Sequence, residues 1–167
     1  MKLIIISDIH GGYKNLLSIK KFIDYFNPDT IILLGDILYD YHNDMEDIDE
    51  LANLLNSYKN KIIGVQGNCD SLSDQLKLEF NIMNDYITFN IEDDIRIYCT
   101  HGHLNLNIPT NVIKITGHTH RSLLSPKEIN PGSITYPRDG NKSFIAYKNR
   151  KFTLYDINLN IIDELSI

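Results

Sequence analysis

A chain of 167 residues, 43% hydrophobic and 23% charged, has the composition of an ordinary globular protein, and residues 1–167 read as a single domain. Its formal net charge of −6 excludes a broad basic face for duplex nucleic acid. Residues 3–6, Leu-Ile-Ile-Ile, are too short for a signal-peptide core and no apolar run spans a bilayer, so a cytoplasmic location without a membrane partner is expected.

Residues 3–7 form a continuous apolar run, the pattern of a parallel strand buried on both faces. From 16 to 26, Leu16, Leu17, Ile19, Phe22, Ile23 and Phe26 follow helical spacing, and Asn27-Pro28 stops the helix. Residues 30–34 repeat the buried-strand pattern. Ile48, Leu51, Leu54 and Leu55 mark a second amphipathic helix, and 61–65 a third strand. This βαβαβ order predicts right-handed crossovers and a parallel sheet.

The second half is strand-rich. Residues 86–91 and 95–100 flank the acidic turn Glu92-Asp93-Asp94, and 143–148 and 151–156 flank Asn149-Arg150, so each pair predicts a hairpin. Strands are also expected at 112–116 and 161–165. The fold class is α/β: a sandwich of mixed central sheets with helices outside.

Chemistry concentrates where strands end. The first strand runs into Asp8-Ile9-His10, the second into Gly35-Asp36, and the third into Gly67-Asn68-Cys69-Asp70. Later strands run into His101-Gly102-His103 and Gly117-His118-Thr119-His120. In open α/β sheets ligands bind beyond the carboxyl ends of the strands. Singly, Asp8 or Asp36 reads as a helix N-cap and Gly117–His120 as a turn. No structural demand makes five strands end in metal-ligand residue types together.

Carboxylate, amide oxygen and imidazole suit manganese, iron or zinc. The seven donors Asp8, His10, Asp36, Asn68, His101, His118 and His120 exceed what one ion needs and match two ions sharing a carboxylate. Two divalent ions add +4 locally, so the site is positive on an acidic protein. They also activate water and stabilise both attacking and leaving oxygens of a phosphoryl group. The two cysteines, Cys69 and Cys99, lack CxxC partners and make no thiolate-rich site.

In this order, Asp-x-His, Gly-Asp, Gly-Asn-x-Asp, His-Gly-His and Gly-His-Thr-His resemble the calcineurin-like metallophosphoesterase superfamily. Gly67-Asn68-Cys69-Asp70 with Asn130-Pro131-Gly132-Ser133 is similar to its YfcE-type phosphodiesterase branch. The resemblance implies a metallophosphoesterase-type sandwich that hydrolyses small phosphodiesters by two-metal activation of water. By motif, Asp8, His10 and His120 bind the first ion, Asn68, His101 and His118 the second, and Asp36 bridges both. The ions are expected to be manganese, with iron, zinc or nickel as alternatives, and a homo-oligomer is open.

His103 falls in the outer shell or against a substrate oxygen, and Asp70 orients a neighbour rather than binding metal. Asn130–Ser133 is either a Pro-Gly turn closing the rim or a substrate contact. Many members have histidine where this chain has Cys69, so the general acid is unassigned. Arg121, directly after His120, is the candidate substrate-binding cation, and Arg138 is the other arginine nearby. The competing functions are a non-catalytic interaction scaffold of the same fold, as in a retromer subunit, and a phosphomonoesterase or nuclease. The intact donor set argues against the scaffold, and the acidic balance against the nuclease.

Overall fold

A computed structural model describes residues 1–39 and 47–167. Its first sheet has six strands. The sequence Lys2–Ile6 forms β1, Thr30–Leu33 β2 and Ile62–Gly64 β3, joined in parallel through helices α1 (Tyr13–Phe26) and α2 (Ile48–Asn56). A third helix, α3 (Leu72–Gln75), is a single turn closed by a capping box between Ser71 and Asp74. A second, five-stranded sheet starts with the antiparallel pair β4 (Tyr86–Glu92) and β5 (Ile95–Thr100) and continues with β6 (Ile113–Ile115), β7 (Ser122–Leu124) and β8 (Glu128–Pro131). The chain then returns to the first sheet as β9 (Ser143–Lys148), β10 (Lys151–Asp156) and β11 (Ile161–Ser166), each antiparallel to the next, with β9 antiparallel to β1. The strand orders are β11-β10-β9-β1-β2-β3 and β4-β5-β6-β8-β7.

Side-chain alternation explains the layers. Ile4 and Ile6 of β1, Ile31 and Leu33 of β2, and Phe144 and Ala146 of β9 face α1 and α2, meeting Leu16, Ile19, Ile23, Leu51 and Leu55. Leu3, Ile5, Ile32, Ile145 and Tyr147 point the other way, onto Ile97 and Cys99 of β5, Ile115 and Ile129. An apolar run buried on both faces is therefore what β1 requires. In the second sheet β5 alternates Ile95, Arg96 and Ile97 where its outer face is open, and is buried throughout from Ile97 to Thr100. Both long helices cover the same face of the first sheet.

β7, β8 and α3 have no counterpart in the periodicity. A one-turn helix is too short to show a period, and β8 ends in Asn130-Pro131, which reads locally as a turn. The segment 130–133 is accordingly not a rim turn, and its asparagine and serine are buried. The alternative reading of Asp8 and Asp36 as helix N-caps does not hold: α1 begins after Gly12 and α2 after Asp47.

Candidate metal centre

The carboxyl ends of β1, β2, β3, β5 and β6 converge, bringing all seven predicted donors to one edge of the sandwich. Turning side chains into that edge strains the backbone. Asp8, His10, Asp36, His118 and His120 all have positive φ, between 45° and 64°. The left-handed region costs a non-glycine residue about 1–2 kcal/mol, and such strain gathers where function constrains the chain.

Three imidazoles are fixed in the same way. His10 Nδ1 is 2.9 Å from Tyr39 O, His101 Nδ1 2.6 Å from Leu34 O, and His120 Nδ1 2.7 Å from Tyr136 O. A carbonyl only accepts, so each Nδ1 carries the proton and each Nε2 faces the site. There the Nε2 atoms meet acceptors. His120 Nε2 lies 3.2 Å and His10 Nε2 3.8 Å from Asp8 Oδ1, while His10 and His101 stand 3.6 and 3.5 Å from Asp36 Oδ2. His101 Nε2 is also 3.1 Å from Asn68 Oδ1.

Imidazole lone pairs aimed at carboxylate oxygens repel unless a cation, a proton or a metal ion, lies between them. Two donors each about 2.1 Å from one ion stand about 3.0–3.4 Å apart in octahedral or tetrahedral geometry, close to the spacings seen. Asp8 fits the same role: Ser7 Oγ and His118 N donate to its Oδ2 at 2.6 and 3.0 Å, while its buried Oδ1 accepts no hydrogen bond. The residues present thus fit divalent metal.

Donor atoms of Asp8, His10 and His120, and of Asp8, Asp36 and His101, each lie within 4.8 Å of one another. Asp8 is common to both, and Asp36 lies between His10 and His101, its Oδ2 3.6 and 3.5 Å from their Nε2 atoms. Burial acts to raise its carboxyl, but His101, the Cys69 N–H at 2.8 Å and His10 outweigh it and hold the group down to about 2. His118 joins through its ring, 5.1 Å from that of His101. Burial lowers His10, and burial with the neighbouring His101 lowers His103 and His118. Asp8 raises His120 against the effect of burial, and Asp36 does the same for His101.

His103 stacks edge-on against His101, with its Nδ1 buried and without a hydrogen bond. Asp70 accepts from the backbone N–H groups of Asp36, Ile37 and Gly67 at 2.8–2.9 Å, tying the ends of β2 and β3 together. Of the two arginines, Arg138 is the one whose charge reaches His120; the Arg121 side chain is exposed, and its N–H turns back onto Thr119 Oγ1.

Several contributors left no mark in the sequence. The carbonyls of Leu34, Tyr39 and Tyr136 orient histidines, and a carbonyl carries no residue identity. Ser7 reads as an ordinary small residue. The thiol of Cys69 lies with His10 and Asp36 in a third group of donors within 4.8 Å, a neighbourhood that its spacing in the chain does not reveal.

The model of the calcineurin-like phosphoesterase superfamily domain matches residues 1–151. The chain is 33% identical over 156 residues to phosphodiesterase YfcE of Escherichia coli, covering 84% of this chain and 83% of that one. A phosphodiesterase of Methanocaldococcus jannaschii is 33% identical over 151 residues, covering 79% and 83%. The solved structure of YfcE, described as a phosphoesterase from E. coli, superposes over 100% of both chains with a TM-score of 0.90 at 30% identity. With the motifs, the fold and these relatives in agreement, the chain belongs to the calcineurin-like phosphoesterase superfamily.

Proposed function

We propose that the chain is a metal-dependent phosphodiesterase acting on small phosphodiesters, with residues 1–167 as its single domain. Asp8, His10 and His120 hold one divalent cation, Asn68, His101 and His118 a second, and Asp36 is shared; manganese is the expected metal. The observation that carries this reading is the opposition of three Nδ1-anchored imidazoles to the carboxylates of Asp8 and Asp36 at 3.2–3.8 Å. When bound, such ions activate water and offset charge that builds on the phosphoryl oxygens.

The side chains contribute orientation and charge. Asp36 spans the gap between His10 and His101, and the carbonyl contacts keep the Nε2 atoms of His10, His101 and His120 turned inward. Half-buried beside His101 and His118, which lower it together with burial, His103 is neutral at pH 7 and offers one N–H to a phosphoryl or leaving-group oxygen. A monoester dianion calls for more cationic donors than a diester monoanion. Among the described residues, Arg138 is the cation whose charge acts on His120, which favours the diester and agrees with the names of the two relatives.

Comparison of kcat/KM for bis-p-nitrophenyl phosphate and p-nitrophenyl phosphate on manganese-loaded protein tests the proposal. The diester is expected to be preferred. A clear monoester preference overturns the diesterase reading, and turnover of neither by metal-loaded protein supports the scaffold reading instead.

A further inference from the structure

We infer that Asn130 and Ser133 are positioning residues for one half of the metal centre, setting the His118–His120 loop and Asp8 relative to each other. The inference rests on the two-ion reading above. Neither residue reaches solvent appreciably, with exposures of 3% and 0%. Asn130 Nδ2 donates to Gly117 O at 2.8 Å and lies 3.3 and 3.2 Å from the hydroxyls of Thr116 and Thr119, so one amide grips the entry and the middle of the loop. Its Oδ1 accepts from Gly132 N at 2.9 Å, which fixes the amide's orientation.

Ser133 works on the other partner. Its Oγ donates to Asp8 O at 2.7 Å and accepts from Thr135 N and Tyr136 N at 3.1 and 2.8 Å. Those contacts place two further groups: Thr135 Oγ1 donates to Ile9 O at 2.6 Å, and Tyr136 O receives His120 Nδ1. One stretch of seven residues thus holds the turn after β1 and the loop after β6. Among the described residues, no hydrogen bond shown for this stretch reaches Asp36, Asn68 or His101.

The physical need is clear from the backbone. Asp8, His118 and His120 all sit at positive φ, uphill from the extended or helical alternatives. Without a restraint they relax, and the Nε2 and Oδ1 atoms leave register. Outer partners of metal ligands typically contribute about 10–100-fold in affinity. Two of the restrained residues, Asp8 and His120, belong to the first site and only His118 to the second, so loss of the restraint falls mainly on the Asp8–His10–His120 site, with His101 and Asp36 still tied by Leu34 O and Cys69 N.

The test uses the full chain stripped with chelator. Manganese is titrated calorimetrically into wild type, Asn130→Asp and Ser133→Ala, and the histidine resonances are followed on zinc loading. The first variant keeps the side chain's size but sets an acceptor against Gly117 O; the second frees Asp8 O. Each is expected to weaken one of two equivalents about 10–100-fold and the other less, with His101 still shifting on zinc loading and His120 no longer doing so. Cooperative unfolding in chelator should persist.

Equal weakening of both equivalents, or unchanged affinities in folded variants, overturns the inference. So does loss of cooperative unfolding in both variants, which makes the segment a folding element alone. A wild-type chain that takes up no second equivalent sinks the two-ion reading itself, and the wild-type titration distinguishes that failure from the others.

Discussion

Replacing Gly67 by alanine adds one methyl and alters no candidate ligand, yet it should disable the centre. An added Cβ would lie 2.1 Å from Asp36 Oδ1, 2.3 Å from Asp36 N and 2.9 Å from Asp36 Cγ. Ordinary contact begins near 3.4 Å, so the carboxylate must retreat by more than 1 Å. Metal ligands tolerate displacements of only about 0.2 Å. Gly67 is not in the left-handed region, so the effect is steric rather than conformational. Asp36 is shared in the proposed assignment, and both ions should therefore bind about 100-fold or more weakly, at the upper end of what disturbing a ligand's outer partner costs.

Overpacking of this kind costs about 1–3 kcal/mol, or roughly 2–12 °C in melting temperature for a chain of this size, and leaves the protein folded. The assay is manganese content after chelation and reloading, beside thermal unfolding in chelator. Gly140→Ala is the control: at φ +94° it strains the backbone, but its Cβ meets nothing within 4 Å, so it should lose stability and keep its metal. Wild-type metal content in a folded Gly67→Ala protein would refute the argument that this glycine exists to admit the Asp36 carboxylate.

Asp36→Asn removes the carboxylate whose Oδ2 lies 3.6 and 3.5 Å from His10 and His101, and should lower bound metal at both sites, whereas Asp8→Asn should mainly lower one; equal metal in wild type and Asp36→Asn by elemental analysis would remove the shared assignment. Metal loading should fall as pH drops, beginning above the ordinary histidine value of 6.5. His101 and His120 both titrate upward in the metal-free protein, so protons compete there with the ion, and calorimetry in buffers of different ionisation enthalpy should show proton release on binding at pH 7. No proton release would contradict this. Cys69→Ser keeps the backbone N–H that holds Asp36 Oδ1, so most metal and much activity should remain; full inactivation at unchanged metal content would point to chemistry at the thiol.

Much of the centre was legible before any coordinates. Strands buried on both faces announce themselves as unbroken apolar runs, and the residues that follow each run must lie at its carboxyl end. Parallel order then brings Asp8, Asp36 and Asn68 to one edge, and the period-2 alternation of β5 delivers His101 beside them. Residue type supplies the donor chemistry, so the motif set was readable as a set of ligands. The hairpins around Glu92-Asp93-Asp94 and Asn149-Arg150 were equally plain, because a turn and its two strands are local.

Tertiary structure decided what depends on partners distant in sequence. Asn130-Pro131-Gly132-Ser133 reads as a turn because its local chemistry is that of a turn. Only the pairing of β8 with β6 and β7 turns Asn130 inward to Gly117 and Ser133 to Asp8, 125 residues away. The proton positions on His10, His101 and His120 follow from backbone carbonyls, which no residue identity encodes. Left-handed φ at five donors is likewise invisible in sequence, since aspartate and histidine adopt it only when surrounding contacts outweigh its cost. Sequence determines which atoms are available to bind; the folded chain determines where their lone pairs point, because that direction is set by hydrogen bonds between segments that meet only on folding.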